Sequence, residues 1–494
     1  MAANYLHGVE TTEIDDGAVS ISLVKTAVIG LVGTAPIFEC AEAYRTINQP
    51  VVILNDKTAA QYFGTARDGY TIPQALDAIR DQQSDNSGYG AVIVVNAFDP
   101  DIHKTTAPEE SKTIDSDGVI ALGHYGLSAV TVKSSDGATT YALGTDYTLD
   151  AVEGTITRVA GGTIAAGATV KVAYTYADPS KVVASDIIGE TNAAGERTGM
   201  QAWLDAHSLF GYWPKLLIAP GYSPLAGVMA ELIVKAEALR AIAFIDAPVG
   251  TTFQQALAGR GPSGAIAFDT SSYRAVLCYP HVKTYDTDTD TTVLEPLSSR
   301  LAGLQAAVDL DQGYWWSLSN HEIKGITGME VLLTAGINDA GSEVNQLNEV
   351  GITTIFNAYA TGLRAWGNRS AAWPTNTGPK QFICIRRVAD IIAESVEQSS
   401  LQFVDRPINN AFIDAVTESV NAFLRTLVAR GAIIDGKCWY DKSLNEATEL
   451  AAGHIVFSYD FMPPPPAERI TFEARVNINY LSDLNSTANT TSTS

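Results

Sequence analysis

The sequence predicts an α/β (α+β) multi-domain protein, in which a layered α/β core carries an inserted all-β immunoglobulin-like domain and ends in extended N- and C-terminal strand arms. Three observations support this fold class. Apolar strand patterns alternate with helical patterns on both sides of residues 100–183, where Gly, Thr, Ala and Val dominate instead. Two amphipathic helical stripes follow one another late in the chain. Each end of the chain carries a strand pattern with no adjacent partner.

The first 25 residues are the predicted N-terminal arm. Val19, Ile21 and Leu23 alternate with serines, which is the period of a strand, and little else nearby could be buried. The layered core is predicted at 26–99 and 184–355, because apolar strands and helices alternate there. The predicted core strands are 27–33, 50–55, 91–97, 215–219 and 241–246, and the predicted core helices are 72–82, 200–207 and 224–239.

Residues 100–183 are predicted to be an inserted β-sandwich domain with an immunoglobulin-like topology. Helical periodicity disappears in this range, and short strand patterns are separated by turn dipeptides such as Asp136-Gly137 and Glu153-Gly154. The predicted strands are 129–133, 139–143, 147–150, 155–159 and 169–176.

A C-terminal α/β domain is predicted at 356–466. Its first helical stripe runs from Ile385 to Val396, and its second helix is predicted to begin near Pro407 and to end at Gly431. Strands are predicted at 453–461 and 469–478, on either side of four consecutive prolines that form a stiff, extended spacer. Residues 467–494 are therefore predicted to be a C-terminal strand arm with a disordered Ser/Thr/Asn-rich tip at 482–494.

Composition restricts the classes of function. The chain has 494 residues, 46% of them hydrophobic, which is enough for about two to four domains with cores of their own. Its formal net charge of −23 opposes binding to DNA or to anionic lipid. No run approaches the ~18 apolar residues that a membrane span requires. We therefore expect no direct nucleic-acid partner and no stable membrane insertion.

Catalytic and metal-binding motifs are not recognisable. His321-Glu322 lacks the second histidine of a zinc protease motif, so we interpret His321 as a loop or core residue. The alternating acidic residues at 286–290 lack the Gly and Glu of a calcium loop and are interpreted as a solvated loop, with weak cation binding as the alternative. The four cysteines are scattered, which favours reduced structural thiols. We expect no catalytic residue, no metal and no cofactor.

Several motifs carry a family resemblance. The most specific are LSN at 318–320, GITG at 325–328, LNEVGITT at 347–354 and GLRAWGNR at 362–369, and the opening strand at 27–35 agrees with them. These motifs resemble contractile tail sheath proteins, especially those of P2-like phages and R-type pyocins. The resemblance spans the whole chain except about 100–183.

The resemblance implies a structural, mechanical protein of the virion and no enzyme. Subunits of this family would stack as hexameric rings into a helical sheath around a tail tube, with baseplate and tail terminator proteins as further partners. The sheath would be assembled in the host cytoplasm. It would contract from a metastable extended state and drive the tube through the host cell envelope, during genome ejection in a phage.

The resemblance also assigns roles to parts of the chain. Unpaired strand patterns at both ends leave ladder edges open, and the family implies that such arms add strands to sheets of neighbouring subunits. The C-terminal domain would face the tube, with Arg425 and Arg430 as candidate tube contacts, and the insert would lie on the outer surface. The candidate residues for strand exchange are Val19, Ile21, Leu23, Ile470, Phe472, Ala474 and Val476.

Other interpretations remain open on the sequence. The same subunit could serve an R-type bacteriocin or another contractile injection system, including a type VI secretion sheath. An adhesive or carbohydrate-active protein with an immunoglobulin-like module, and a tail tube or capsid protein, are the alternatives from other classes. Both arms could fold back on their own subunit. Arg425 and Arg430 could be solvated or form ion pairs within their own domain.

Overall fold

The structure is a computed structural model that describes residues 21, 23–83, 90–287, 290–357 and 362–481. Val19 and the predicted tip at 482–494 lie outside the described residues.

The core begins with strand β1 (Val28–Gly33), in which every residue is buried. A strand that is apolar at each position is typical of a sheet covered on both faces. β1 pairs in parallel with β3 (Ala91–Asn96), and β2 (Val51–Ile53) pairs antiparallel with β3 at the edge. Helices α1 (Asp56–Phe63) and α2 (Thr71–Gln82) connect these strands.

The inserted segment forms two three-stranded antiparallel sheets, in the orders β4-β9-β6 and β5-β8-β7, and a short 3-10 helix (Pro179–Lys181) follows them. Side chains from both sheets, including Val132, Ile156 and Val172, form a separate apolar core. The predicted strand at 139–143 is wrong, because Thr140 and Leu143 make isolated bridges only. The immunoglobulin-like topology stays a prediction. The strands are β4 (Lys104–Thr113), β5 (Val119–Ala121), β6 (Ser128–Ser134), β7 (Tyr147–Asp150), β8 (Thr155–Arg158) and β9 (Thr169–Ala177).

The chain then returns to the core and completes its sheet. The helices of this segment are α3 (Ala184–Ile188), α4 (Ala206–Phe210), α5 (Ala226–Ala238), α6 (Phe253–Ala258), α7 (Leu297–Asp311) and α8 (Glu343–Glu349). Its strands are β10 (Leu216–Ile218), β11 (Ile242–Asp246), β12 (Ala275–Cys278), β13 (Val282–Asp286), β14 (Thr291–Glu295), β15 (Gly328–Met329), β16 (Ile352–Phe356) and β17 (Arg364–Trp366). The predicted helix at 200–207 is mostly a 3-10 helix, Gly199–Asp205, that leads into α4.

Eight of these strands form one mixed sheet in the order β17-β16-β12-β11-β10-β1-β3-β2, while β14, β13 and β15 form a small separate sheet. Alternate residues of β1 enter different apolar clusters, with Ile29 and Leu31 in one and Val28 and Val32 in another. The sheet is therefore covered by apolar layers on both faces. Since β16 and β17 belong to this sheet, the predicted domain boundary at 356 is wrong, and the sheet continues to at least Trp366.

The C-terminal domain contains α9 (Ile383–Ser400), α10 (Asn410–Arg430), β18 (Asp435–Tyr440), α11 (Ala447–Ala451) and β19 (Phe457–Met462). The α10 helix begins three residues later than predicted from Pro407, because the side chain of Asn409 accepts the N–H of Phe412 at 2.8 Å and caps the helix. It ends, as predicted, at Gly431, which takes a left-handed conformation with φ of 78°. The predicted strand at 453–461 is displaced to β19.

Buried ion pairs join α9 to the core. The carboxylate of Asp390 receives two hydrogen bonds from Arg274, at 2.6 and 3.0 Å, and Glu394 pairs with Lys215. These four side chains are all buried. Arg387 of α9 binds Asp309 of α7 in the same way, with Nη1 to Oδ1 at 2.6 Å. A protein interior tolerates buried charges when they are paired, so the contact between α9 and the core requires both partners of each ion pair.

We expect Glu394→Gln to destabilise the folded chain by about 3–5 kcal/mol, because it leaves a buried ammonium without its charge partner. Lys215 is only 4% exposed, and burial lowers its pKa while Glu394 counteracts that effect. Chemical denaturation followed by circular dichroism would measure the loss.

Glu397→Gln is the matched control, since Glu397 pairs with Arg240 at 2.6 Å with its side chain 62% exposed. We expect it to change the unfolding free energy by less than about 1 kcal/mol. Equal losses in the two variants would contradict the structural importance of the buried pair.

Candidate assembly surfaces

The C-terminal arm has an apolar face that nothing in its own chain covers among the described residues. Ile470, Phe472 and Val476 are exposed, and the exposed fractions of Phe472 and Val476 reach 89% and 102%. Ala474 is exposed as well. The predicted strand at 469–478 does not form in the single chain, because a strand requires a neighbouring ladder and no strand of the described chain pairs with it.

The C-terminal sheet consists of β18 and β19, which pair antiparallel with Cys438 opposite Tyr459. One edge of this sheet is closed by α10. The amide of Asn421 accepts the backbone N–H of Cys438 at 2.7 Å and donates to its carbonyl oxygen at 3.0 Å. Among the described residues no further strand pairs with β19, so its outer edge is the open one.

The root of the N-terminal arm lies on its own subunit. Ile21 and Val24 pack against the apolar cluster formed by α9, α10 and the C-terminal sheet. Arg387 donates to the carbonyl oxygen of Thr26 at 3.4 Å. Leu23 is 37% exposed, and no strand forms at residues 21 and 23–27. In the single chain Ile21 is therefore covered by the apolar cluster of its own domain, and its role in strand exchange stays a prediction.

The two candidate tube-contact residues lie near the end of α10 and are both exposed. Arg425 pairs with Glu418 on the same helix, with side chains 61% and 56% exposed. This is the ion pair within the domain that the sequence left open as an alternative. Because both side chains are exposed, the pair is weak, and Arg425 could leave Glu418 to bind another carboxylate. A role of Arg425 and Arg430 in binding the tube stays a prediction.

Arg67 connects the insert to the core, and the sequence did not indicate this contact. Arg67 of the core donates to Glu153 of the insert at 2.6 Å, and its guanidinium lies 4.0 Å from the ring centroid of Tyr125. Arg67 also pairs with Glu39 of the core, and these carboxylates raise its pKa against the opposing effect of burial. Arg67 therefore joins the insert to the core at a point outside the connecting strands β4 and β9.

At the carboxyl end of core strand β11, the side chain of Asp246 is hydrogen-bonded within the fold. In open α/β sheets this edge commonly binds ligands. Here Asp246 accepts the N–H of Ser298 at 2.8 Å, at the first turn of α7, and Ser223 Oγ lies 3.2 Å from its other oxygen. Burial raises the pKa of Asp246. We interpret this carboxyl as a structural helix cap.

The remaining candidate groups are also accounted for by local structure. His321 Nδ1 lies 3.2 and 3.3 Å from the carbonyl oxygens of Ser319 and Leu318. The four cysteines are free and buried, and burial raises the pKa of Cys384 to about 11. In the part of the chain that the structure describes, no set of three His, Cys, Asp or Glu side chains could hold a metal ion. None of the described helices has the length and apolarity needed to cross a bilayer.

Three family models match the chain. The phage tail sheath protein central domain matches residues 195–371, and the phage tail sheath C-terminal domain matches residues 375–477. A model for a protein of unknown function matches residues 100–185, which contain the insert. The central-domain match includes β16 and β17, in agreement with their place in the core sheet.

Curated relatives and solved structures agree with these models. The tail sheath protein of Burkholderia phage BcepMu is 53% identical over 97% of this chain and 98% of its own length. The tail sheath protein of Escherichia phage P2 is 28% identical over 99% of both chains. The contracted helical sheath of the anti-feeding prophage has a similar fold, with a TM-score of 0.58 at 16% identity, over 96% of this chain and 100% of that one. The contracted PVC sheath, from an extracellular contractile injection system, matches with a TM-score of 0.56 at 14% identity, over 97% of this chain and 100% of that one.

Together the layered core, the exposed arm and these relatives define a structural subunit of a phage tail or of a related injection system. The chain belongs to the phage tail sheath protein family. This confirms the resemblance drawn from the motifs. The family is one of structural tail components of the virion and is not known for an enzymatic activity.

We expect Asn421→Ala to accelerate hydrogen exchange at the amide of Cys438 by at least about tenfold, because it removes the side chain that binds both backbone groups of that residue. Mass spectrometry of the peptide that covers β18 would measure the rate. Asn445→Ala is a matched control, since Asn445 bonds instead to Val456 at 2.7 Å. Unchanged exchange at Cys438 would show that α10 does not close this edge.

Proposed function

We propose that this chain polymerises as stacked hexameric rings into a contractile tail sheath around a tail tube. The sheath then contracts from a metastable extended state and drives the tube through the host cell envelope. The observation that carries this proposal is the exposed, strand-patterned C-terminal arm in a chain that also has a sheet with an open edge. Family membership supports it, since the relatives from phages BcepMu and P2 are tail sheath proteins.

The joining step is the addition of an arm to the C-terminal sheet of a neighbouring subunit. The arm alternates apolar residues at 470, 472 and 476 with polar residues at 471, 473 and 475. Such a strand can place one apolar face on a sheet while its backbone completes the ladder. β19 has six residues, which is long enough to receive this part of the arm. An arm and an acceptor on every subunit give a head-to-tail contact that propagates instead of closing on itself.

The N-terminal arm makes the second connection. Its root, at Ile21 and Val24, packs against the cluster formed by α9, α10 and the proposed acceptor sheet. Val19 belongs to this arm, and Leu23 lies at its exposed base. Two arms per subunit would link it to different neighbours, which keeps the lattice connected when the rings twist and widen.

Contraction requires stored conformational free energy, because no bond is made or broken. A lattice assembled in a less stable arrangement is kept there by a kinetic barrier and relaxes when the barrier is lowered. The tail tube, the baseplate and the tail terminator are the proposed partners in this cycle. Assembly would take place in the host cytoplasm, and the product would be part of the virion.

The C-terminal domain is the proposed tube-facing layer, and the insert is the proposed outer layer. A tube must be held before contraction and released afterwards, which suits polar contacts such as Arg425 and Arg430. A rigidly attached domain on the inner side would collide with the tube, so the insert is placed outside. A bacteriocin or another contractile injection system is the second candidate, supported by the fold shared with the PVC and anti-feeding prophage sheaths.

Deletion of residues 1–20 should leave a soluble, folded protein that no longer polymerises, because the described strands and helices of the core begin at Val28. Negative-stain electron microscopy at high concentration would detect hollow, ridged tubes in the full-length protein. Circular dichroism would establish that the truncated chain is folded. Long helical tubes formed by the truncated protein would contradict the strand-exchange proposal.

Phe472→Asp should raise the concentration needed for polymerisation by about tenfold to a hundredfold, because it replaces an apolar anchor of the added strand with a charge. Sedimentation of polymers across a concentration series would measure this threshold. Thr471→Asp introduces the same charge on the opposite face of the arm and should have a much smaller effect. Equal effects of the two substitutions would contradict the one-sided packing of the arm.

A further inference from the structure

The base of the C-terminal arm is a stiff spacer. Pro463 follows β19 directly and is buried, and the proline run continues to Pro466. Consecutive prolines favour an extended helix that transmits its direction over several residues. Every residue from 469 to 481 is exposed. The orientation of the spacer therefore decides where the arm points when it leaves the subunit.

Arg369 lies beside this spacer with its guanidinium already fixed. The group is 3.7 Å from the ring centroid of Trp373 and 5.2 Å from that of Phe382. Its Nη1 donates to Gln381 Oε1 at 3.1 Å. A guanidinium stacked on aromatic rings loses little further freedom when it binds a carboxylate. Arg369 thus presents a preorganised binding site for an acidic side chain.

Glu468 occupies that site. Nε of Arg369 donates to Oε1 of Glu468 at 2.8 Å, and Nη2 donates to Oε2 at 2.5 Å, so the pair is bidentate. The side chains of Arg369 and Glu468 are 17% and 39% exposed. Because the arginine is shielded and held by three other groups, this pair is firmer than an open surface ion pair.

The spacer lies along a cavity. This cavity of about 650 Å³ is lined by residues 464–468 and by residues of the body that include Trp315, Trp316 and Trp366. Such a space leaves room for the spacer to move towards the body or away from it. The spacer is therefore fixed at buried Pro463, where it leaves the sheet, and at Glu468, where it meets Arg369.

We infer that Arg369 and Glu468 form a latch that sets the direction of the C-terminal arm, and that they are positioning residues for assembly. The inference rests on the proposed exchange of arms between subunits. A latched arm reaches a neighbour in a preset orientation, so less conformational freedom is lost when it is captured. Release of the latch lets the spacer pivot about Pro463 into or out of the cavity, while the added strand stays paired.

Limited trypsin digestion of the full-length protein tests the latch directly. Arg469 follows Glu468 in the chain, whereas Arg475 lies further along the exposed arm. Arg369→Gln leaves the amino-acid sequence around both cleavage sites unchanged, and it should raise the cleavage rate after Arg469 by about tenfold, the factor that corresponds to ~1.4 kcal/mol. Cleavage after Arg475 should not change and serves as the internal control. An unchanged ratio of the two rates would overturn the latch.

Polymerisation kinetics followed by light scattering test the positioning role. Arg369→Gln and Glu468→Gln should each slow assembly by about tenfold, and the double variant should be no slower than either, because the two residues act as one pair. Glu473→Gln is the matched control, since Glu473 pairs with Arg475 at 3.5 Å on the exposed arm. Additive effects of the two substitutions, or an equal effect of the control, would overturn the positioning role.

The two experiments separate the latch from the proposed function. If the unaltered protein forms no polymers even with a tail tube protein present, the proposed sheath function fails, while the trypsin ratio still decides whether the latch exists. If polymers form and the trypsin ratio does not respond to Arg369→Gln, the sheath function stands and the latch fails.

Discussion

This structure depends on one constraint, which is that the backbone N–H and C=O groups at the edge of a β-sheet need hydrogen-bonding partners. The large sheet ends on both sides in strands of three residues, β2 and β17, and short edges offer little ladder to another chain. The C-terminal sheet is built differently. Its β18 edge is closed by Asn421, whereas β19 presents six residues. The arm that follows β19 exposes its apolar face, so the proposed contact between subunits would find both of its surfaces on every chain.

Both arm roots meet the same layer of the subunit. The N-terminal root contacts α9 through Arg387, which binds Thr26 as well as Asp309 of the core. The C-terminal root binds Arg369, whose backbone bridges to Phe382 at the start of α9. Both arm roots are therefore in contact with α9 or with the residue before it, and α9 is joined to the core by its buried ion pairs. Since those pairs resist separation, the body is suited to move as one unit while the arms adjust.

The sequence predicted what depends on local pattern, and it missed what depends on distant partners. The run at 27–33 is apolar throughout and forms a strand as expected, and Gly431 ends α10 because only its own backbone conformation is involved. The Lys215–Glu394 pair joins residues 179 positions apart, and the Arg369–Glu468 pair joins residues 99 apart. Nothing in a local window indicates such pairs. The boundary at 356 was wrong for the same reason, because β17 is recognised as a core strand only through its pairing with β16.

The insert, which the sequence predicted from its composition, strand patterns and turn dipeptides, is connected to the core in a way that these local patterns did not indicate. The first and last strands of the insert, β4 and β9, pair with each other along most of their length. The insert is therefore connected to the core by two hydrogen-bonded strands. Arg67 of the core makes a further contact outside these two strands, with Glu153 and Tyr125 of the insert. The insert is thus connected to the core at two places. A movement of the insert relative to the core would therefore have to break the contacts of Arg67 and also bend the paired strands β4 and β9.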